Sequence, residues 1–222
     1  MKKLLLILLC FPFIGFGQQT YVPDDNFEQE LINLGYDNIL DNYVLTSNIN
    51  SITYLDLSGI YSNPNPGNSP NLGVDLTGIE DFMALTYLDC RGNFMTSLDV
   101  SANTALTYLD CSNQDLTTLD VSSNTLLKSL KCGHNFYLTS LDVSQNTVLN
   151  RLDCSYNMLT SINFGQITSL DTLQCSNNKL SSLALSQLTE LRFLSCGNGP
   201  MPDITQKNQI TNLDVSSNTA LI

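Results

Sequence analysis

Six segments of the chain place apolar residues in one frame, Leu-x-x-Leu-x-Cys, read at Leu85-Leu88-Cys90, Leu106-Leu109-Cys111, Leu127-Leu130-Cys132, Leu149-Leu152-Cys154, Leu170-Leu173-Cys175 and Leu191-Leu194-Cys196. The steps between successive cysteines are 21, 21, 22, 21 and 21 residues. A fixed period of this size marks a stacked solenoid, in which each repeat buries its apolar face against its neighbours. The Leu-x-Cys core alternates with period 2, which fits an extended segment rather than a helix. The same spacing recurs half a period later, at Met95-Leu98-Val100-Asn103 and Leu116-Leu119-Val121-Asn124, so each coil has two similar halves. Asparagine follows most cysteines by three positions (Asn93, Asn135, Asn157, Asn178), with Gln114 and Gly199 as departures. Asn103, Asn124, Asn146 and Asn218 form the matching column of the second half, which Ile167 and Leu188 interrupt. Amides in such columns are expected to satisfy backbone groups where the chain turns. The interruptions predict a less regular convex side in coils four and five.

The run Leu-x-x-Leu-x-Cys-x-x-Asn resembles the strand segment of a leucine-rich repeat over roughly residues 52 to 222. The phrases LTYLDCS, LTSLDVSQNT and VPDDNFEQELINLGYD are similar to secreted leucine-rich repeat proteins of Bacteroidetes-type bacteria. The expected fold is a leucine-rich repeat solenoid: a β-rich right-handed superhelix with one parallel sheet and a short N-terminal capping helix. Twenty-one residues per coil leave no room for a long convex helix.

Ahead of the array, Asp24-Asp25-Asn26 precedes Phe27, Leu31 and Leu34 at helical spacing, and Gly35 supplies a stop. Such a helix would cover the apolar edge that a solenoid end exposes. Ser62-Asn63-Pro64-Asn65-Pro66-Gly67 reads as a loop insertion and Gly197 to Gln209 as a second. Met1-Lys2-Lys3 is a basic start, Leu4 to Phe16 is apolar, and Gly15 and Gly17 suit cleavage before Gln18. Residues 1–17 therefore read as a secretory signal peptide. Lipid attachment at Cys10 is the weaker alternative, since Leu9 precedes it. The organisation expected is signal peptide 1–17, cap region 18–51 and repeat array 52–222. Leu221-Ile222 begin a further Leu-x-x-Leu unit. That beginning, with the resemblance, leads to the expectation of a fragment, with further repeats and a sorting domain for type IX secretion beyond residue 222.

Composition narrows the function. Loss of Lys2 and Lys3 with the leader leaves 7 basic residues against 21 acidic, a net charge of −14. Such a chain repels nucleic acid and anionic membrane surfaces. It has one histidine, His134, and little material for histidine-based catalysis or metal binding. No segment after the leader is apolar enough to span a bilayer. No cofactor is expected.

Stacking turns each repeat position into a column with steps of about 4.8 Å. The cysteine column could form disulfides or hold metal, or simply fill the core. Parallel side chains suit the disulfide dihedral poorly, and Val100, Val121 and Val143 fill the equivalent place, which favours packing. Aspartates are expected in outward columns, Asp89 with Asp110 and then Asp153 across Lys131, and separately Asp99, Asp120 and Asp142; the second set is a weak calcium candidate. The concave face carries Arg91, Lys128, Lys131, Arg151 and Arg192, five of the seven basic residues of the mature chain, with Tyr87, Tyr108, His134, Tyr156 and Phe193. Aromatic and arginine enrichment is characteristic of binding surfaces; the alternative is that these cations only neutralise the aspartates. The leading expectation is a non-catalytic secreted or cell-surface module that binds an extracellular protein or glycan through this face. A structural or adhesive spacer is the second reading. A hydrolase using Cys132 beside His134 is the third, and disfavoured because Cys132 belongs to the inward column.

Overall fold

A computed structural model describes residues 17–62, 73–199 and 207–222. The apolar leader and most of both loop insertions lie outside the described residues.

The cap comes first. Strand β1 (Gln19–Tyr21) leads into helix α1 (Asp25–Asn33), and β2 (Tyr43–Leu45) returns antiparallel to β1. Asp24 caps α1, its Oδ1 accepting from the N–H groups of Asn26 at 2.9 Å and Phe27 at 3.1 Å. Gly35, in the left-handed region at φ +80°, ends the helix, with Gly35 N donating to Ile32 O and Tyr36 N to Leu31 O. The inward stripe of α1, Phe27 and Leu31, is fully buried, and the Phe27 ring lies 6.2 Å from that of Phe82. The helix thus seals the start of the array. A short helix α2 (Thr46–Ile49) follows.

From there the chain coils. Strands β3 (Tyr54–Asp56), β4 (Tyr87–Asp89), β5 (Tyr108–Asp110) and β6 (Ser129–Lys131) are joined, after β7 (Ser140–Asp142), by β8 (Arg151–Asp153). They continue, after β9 (Ser161–Asn163), with β10 (Thr172–Gln174) and β11 (Phe193–Ser195). All except β7 and β9 form one seven-stranded parallel sheet in chain order, and β7 and β9 pair with each other on the second side. Register is exact by repeat: Leu55, Leu88, Leu109, Leu130, Leu152, Leu173 and Leu194 lie side by side. The ladder runs past each strand, as Cys132 N donates to Asp153 O at 2.8 Å and His134 N to Ser155 O at 2.9 Å.

The core is one continuous apolar stack, in which Cys90, Cys111, Cys132, Cys154 and Cys175 are buried. These five and the half-buried Cys196 are free thiols. Asparagine columns flank the core on both sides. Asn157 Nδ2 donates to the carbonyls of Cys132 and Cys154, and Asn124 Nδ2 to those of Val100 and Asn103.

Two expectations need correction. The second side is not less ordered throughout coil four, where Ile167 replaces asparagine; there β9 pairs with β7. Phe164 and Ile167 are buried beneath that pair, and Asn163 Nδ2 donates to Asp142 Oδ2 at 2.9 Å where another aspartate would repel it. Gly199 also does not leave the first asparagine column open. Beyond the insertion Asn208 enters it, its Nδ2 donating to Cys175 O and Cys196 O, each at 2.9 Å.

Candidate interaction face

The outward face of the sheet has two columns. Strand position one carries Tyr54, Tyr87, Tyr108, Ser129, Arg151, Thr172 and Phe193; position three carries Asp56, Asp89, Asp110, Lys131, Asp153, Gln174 and Ser195. Because parallel strands repeat at roughly the thickness of stacked rings, the three tyrosines form a ladder. Tyr54 and Tyr87 stack at 4.4 Å and Tyr87 and Tyr108 at 4.3 Å, with planes 4° apart in the second pair. Lys131 Nζ continues the column, 5.4 Å from the Tyr108 centroid and 3.5 Å from Asp110 Oδ2. Tyr108 first, then Asp110, favour the charged form of Lys131 and raise its pKa. Burial first, and then the Tyr108 neighbour, push the Tyr87 phenol up.

Asp89 and Asp110 are outward in direction but not exposed, at 2% and 1%. Each Oδ1 folds back to accept its own backbone two residues on, from Arg91 N at 3.2 Å and Ser112 N at 3.1 Å. Arg91 and Lys131 then close over them: Arg91 Nε lies 3.6 Å from Asp89 Oδ2, and Arg91 Nη1 lies 4.0 Å from Asp110 Oδ2. Burial raises the pKa of Asp89. Neutralisation of the aspartates thus accounts for Arg91 and Lys131, and for Arg192, whose Nε is 3.6 Å from Asp171. It does not account for Arg151 or Lys128. Both are exposed, and neither has a carboxylate within ion-pair distance among the described residues. Arg151 lines a shallow depression at the centre of the sheet with Tyr108, Ser129, Lys131, Asp153, Thr172 and Gln174. Lys128 precedes β6 at its edge, and Phe193 is half exposed at the last strand.

His134 and Tyr156 lie elsewhere, on the rim beyond the strand ends. Both take φ +59°, in a column shared with Gly92, Asn113 and Asn177. Gly and Asn suit that left-handed conformation, and His accepts it more readily than Tyr. The two rings stack at 4.3 Å, and Phe136 meets His134 edge-on at 6.0 Å. Sequence reasoning missed Tyr54, Phe94, Phe136 and Tyr137. Tyr54 was legible in the thrice-repeated Tyr-Leu-Asp, and Phe94 and Phe136 each stand four residues after a cysteine. Phe94, Phe136 and Tyr137 are exposed on the rim.

The other candidates are placed plainly. Burial pushes the Cys132 thiol well above its usual range, which disfavours a thiolate beside His134. Asp99, Asp120 and Asp142 are exposed, and each Oδ1 accepts from the backbone N–H of Ser101, Ser122 or Ser144. Hydrogen bonds from those serines lower all three pKa values, the hydroxyl leading at Asp99 and Asp142 and the backbone N–H at Asp120.

No protein-family model and no curated protein matches this sequence. Solved structures do resemble it. The functional domain of InlJ from Listeria monocytogenes, described as including a cysteine ladder, is 30% identical with a TM-score of 0.50; the match covers 92% of this chain and 56% of that one. Internalin C2 of the same organism is 19% identical over 92% of this chain and 95% of its own, with a TM-score of 0.55. A leucine-rich repeat protein of Leptospira interrogans is 23% identical over 65% of this chain and 37% of its own, also at 0.55. The present chain thus spans little more than half of the InlJ domain. Its fold is the leucine-rich repeat solenoid, built on a parallel sheet with few helices. Among the described residues no helix is long and apolar enough to cross a membrane.

Proposed function

We propose that this chain is a non-catalytic, secreted or cell-surface module that binds an extracellular protein or glycan through the outward, concave face of its sheet. One observation carries the reading: a stacked tyrosine ladder runs into a depression where Arg151 has no carboxylate partner among the described residues. Stacked rings offer apolar area already fixed in place, so little side-chain freedom is lost on binding. An unpaired arginine at the centre of a patch supplies forked donors for a carboxylate or carbonyl of the ligand. The leader at residues 1–17 supports export, the array at 52–222 carries the face, and the cap region at 18–51 covers the start of that array. The burial of Cys132 supports a role without catalysis.

The test is a glycan and surface-protein array probed with the mature chain, followed by Lys128→Glu with Arg151→Glu, both exposed and outside any ion pair among the described residues. Exposed charges contribute little to folding, so the variant should melt near the parent. Its affinity for any retained ligand should fall about tenfold or more. Normal binding by the variant would place the ligand surface elsewhere. Retention of no ligand at all would favour the spacer reading.

A further inference from the structure

Three carboxylates meet in the cap, away from the sheet face. Glu28 projects from α1 and is fully buried. Asp37 and Asp41 come from the loop between α1 and β2, and one oxygen from each of the three residues lies within 4.8 Å of the other two. Glu28 Oε1 is fixed in place by the N–H groups of Asp41 at 2.9 Å and Tyr43 at 3.1 Å. Its second oxygen, Oε2, is buried and has no hydrogen-bond partner among the described residues, and the same holds for Asp37 Oδ2. A carboxylate is among the groups least tolerant of burial without a partner. No basic side chain forms an ion pair with any of the three among the described residues. The cluster therefore gathers negative charge and orphaned oxygen atoms around a point that lacks a positive charge.

We propose that Glu28, Asp37 and Asp41 bind a divalent cation, calcium, that ties the cap loop to α1. The donor set is all oxygen, with neither His nor Cys, which suits a hard cation rather than zinc. Calcium takes six to eight oxygens at about 2.3–2.6 Å, so opposite ligands stand up to about 5 Å apart, and the cluster spans such a distance. Magnesium requires a smaller, nearly ideal octahedron and releases its water reluctantly. Water would complete the shell on the loop side, where Tyr36, Asn38 and Tyr43 line an open depression together with Asp37 and Asp41. The Asp99, Asp120 and Asp142 column is not such a cluster: no three of its carboxylates gather within this reach.

The experiment uses the mature chain stripped with EDTA. Calcium at millimolar concentration should raise the melting temperature by several degrees, because the ion binds the folded cap and not the unfolded chain. Terbium should give luminescence sensitised by Tyr36 or Tyr43, and calcium should displace it. Glu28→Gln keeps the Oε1 acceptor and offers Asp37 a donor, so it should fold in EDTA yet lose the calcium shift. Asp37→Asn, in the half-buried loop, should do the same if the first variant fails to fold. Absence of terbium emission together with an unchanged melting temperature would overturn the proposal. So would a calcium shift of the same size in either variant, which would place the ion elsewhere. An equal or larger shift with magnesium would overturn the assignment to calcium.

Discussion

The two sides of each coil share one sequence frame and hydrogen-bond in different ways. On the cysteine side the N–H of Asn135 donates to Asn157 Oδ1 of the next coil at 2.7 Å. On the valine side the N–H of Asn124 turns back to Val121 O in its own coil at 3.0 Å, and Asn103, Asn146 and Asn218 do likewise. The consequence falls on the side-chain oxygens. Asn157 uses both ends of its amide, whereas the Oδ1 atoms of Asn103, Asn124, Asn146 and Asn218 are buried without partners among the described residues. One side is therefore a ladder that links coil to coil. The other is largely a series of turns closed within each coil, linked by the asparagine Nδ2 groups and by the β7–β9 pair. A repeated motif does not impose repeated bonding; the backbone conformation after the Cys or Val position decides which atoms the asparagine meets.

The largest effect should come from deleting one amide on each side. Asn157→Ala leaves the Asn135 N–H without its acceptor and takes one of two donors from each of the Cys132 and Cys154 carbonyls, which keep Asn135 Nδ2 and Asn178 Nδ2, and should destabilise by about 2–4 kcal/mol; Asn124→Ala takes one of two donors from each of the Val100 and Asn103 carbonyls, and should cost about 1–2 kcal/mol. Urea unfolding of both variants measures the gap. Equal losses would mean that the inter-coil N–H bond adds nothing, and the contrast between the sides would collapse.

Thiol labelling sharpens the comparison from the sheet side alone, because the equivalent second-side column is valine. Burial raises every thiol pKa in the column, Cys175 up to about 12, and the shift is milder at the half-buried Cys196. At neutral pH iodoacetamide should modify Cys196 at least about tenfold faster than the other five, since the thiolate is the reactive form. Mass spectrometry of the native protein reads the order. Early labelling of Cys132 would show the sheet opening at its middle.

The smallest effect is on pH dependence, and its sign differs between the sides. The lowered pKa values of Asp99, Asp120 and Asp142 mean that their contribution is complete above the unfolded value of about 3.9 and is lost as pH falls through the folded one. Asp89 has a raised pKa, so folding favours its protonated form, and that advantage disappears as pH rises through the folded value. Asp120→Asn retains the turn acceptor, as Asn163 does with Gly165 N at 3.1 Å. On acidification from pH 6 to about 3, the parent should therefore lose stability relative to Asp120→Asn and gain it relative to Asp89→Asn. Urea midpoints across that range test both signs, and parallel shifts would remove the distinction.

Much of this was written in the chain order. A period of 21 or 22 residues with Leu and Cys in one frame requires stacked extended segments, because no other arrangement buries every one of those positions at once. The capping helix was equally legible, since Asp24, Phe27, Leu31 and Gly35 are local signals read over one short segment. Tyr87, Tyr108, Lys131, Arg151 and Phe193 were legible as one face. The tyrosine ladder and the basic residues follow from register, and register follows from the period.

Tertiary structure decided the rest, wherever the outcome depended on a partner distant in sequence. Asp89 and Asp110 point outward by alternation, yet folded-back turns and neighbouring cations bury them. His134 and Tyr156 keep the repeat position, but a left-handed backbone sets them on the rim instead of the sheet. Asn208 joins its column across an insertion, a place betrayed only by the Asn-x-Ile frame that matches Asn157-Met158-Leu159 and Asn178-Lys179-Leu180. The meeting of Glu28 with Asp37 and Asp41 carries no spacing signal at all, since a helix and the loop after it must fold together before those oxygens share a site. Periodicity fixes what repeats along a solenoid; burial, backbone handedness and charge clustering are properties of neighbourhoods, and only the folded chain assembles those.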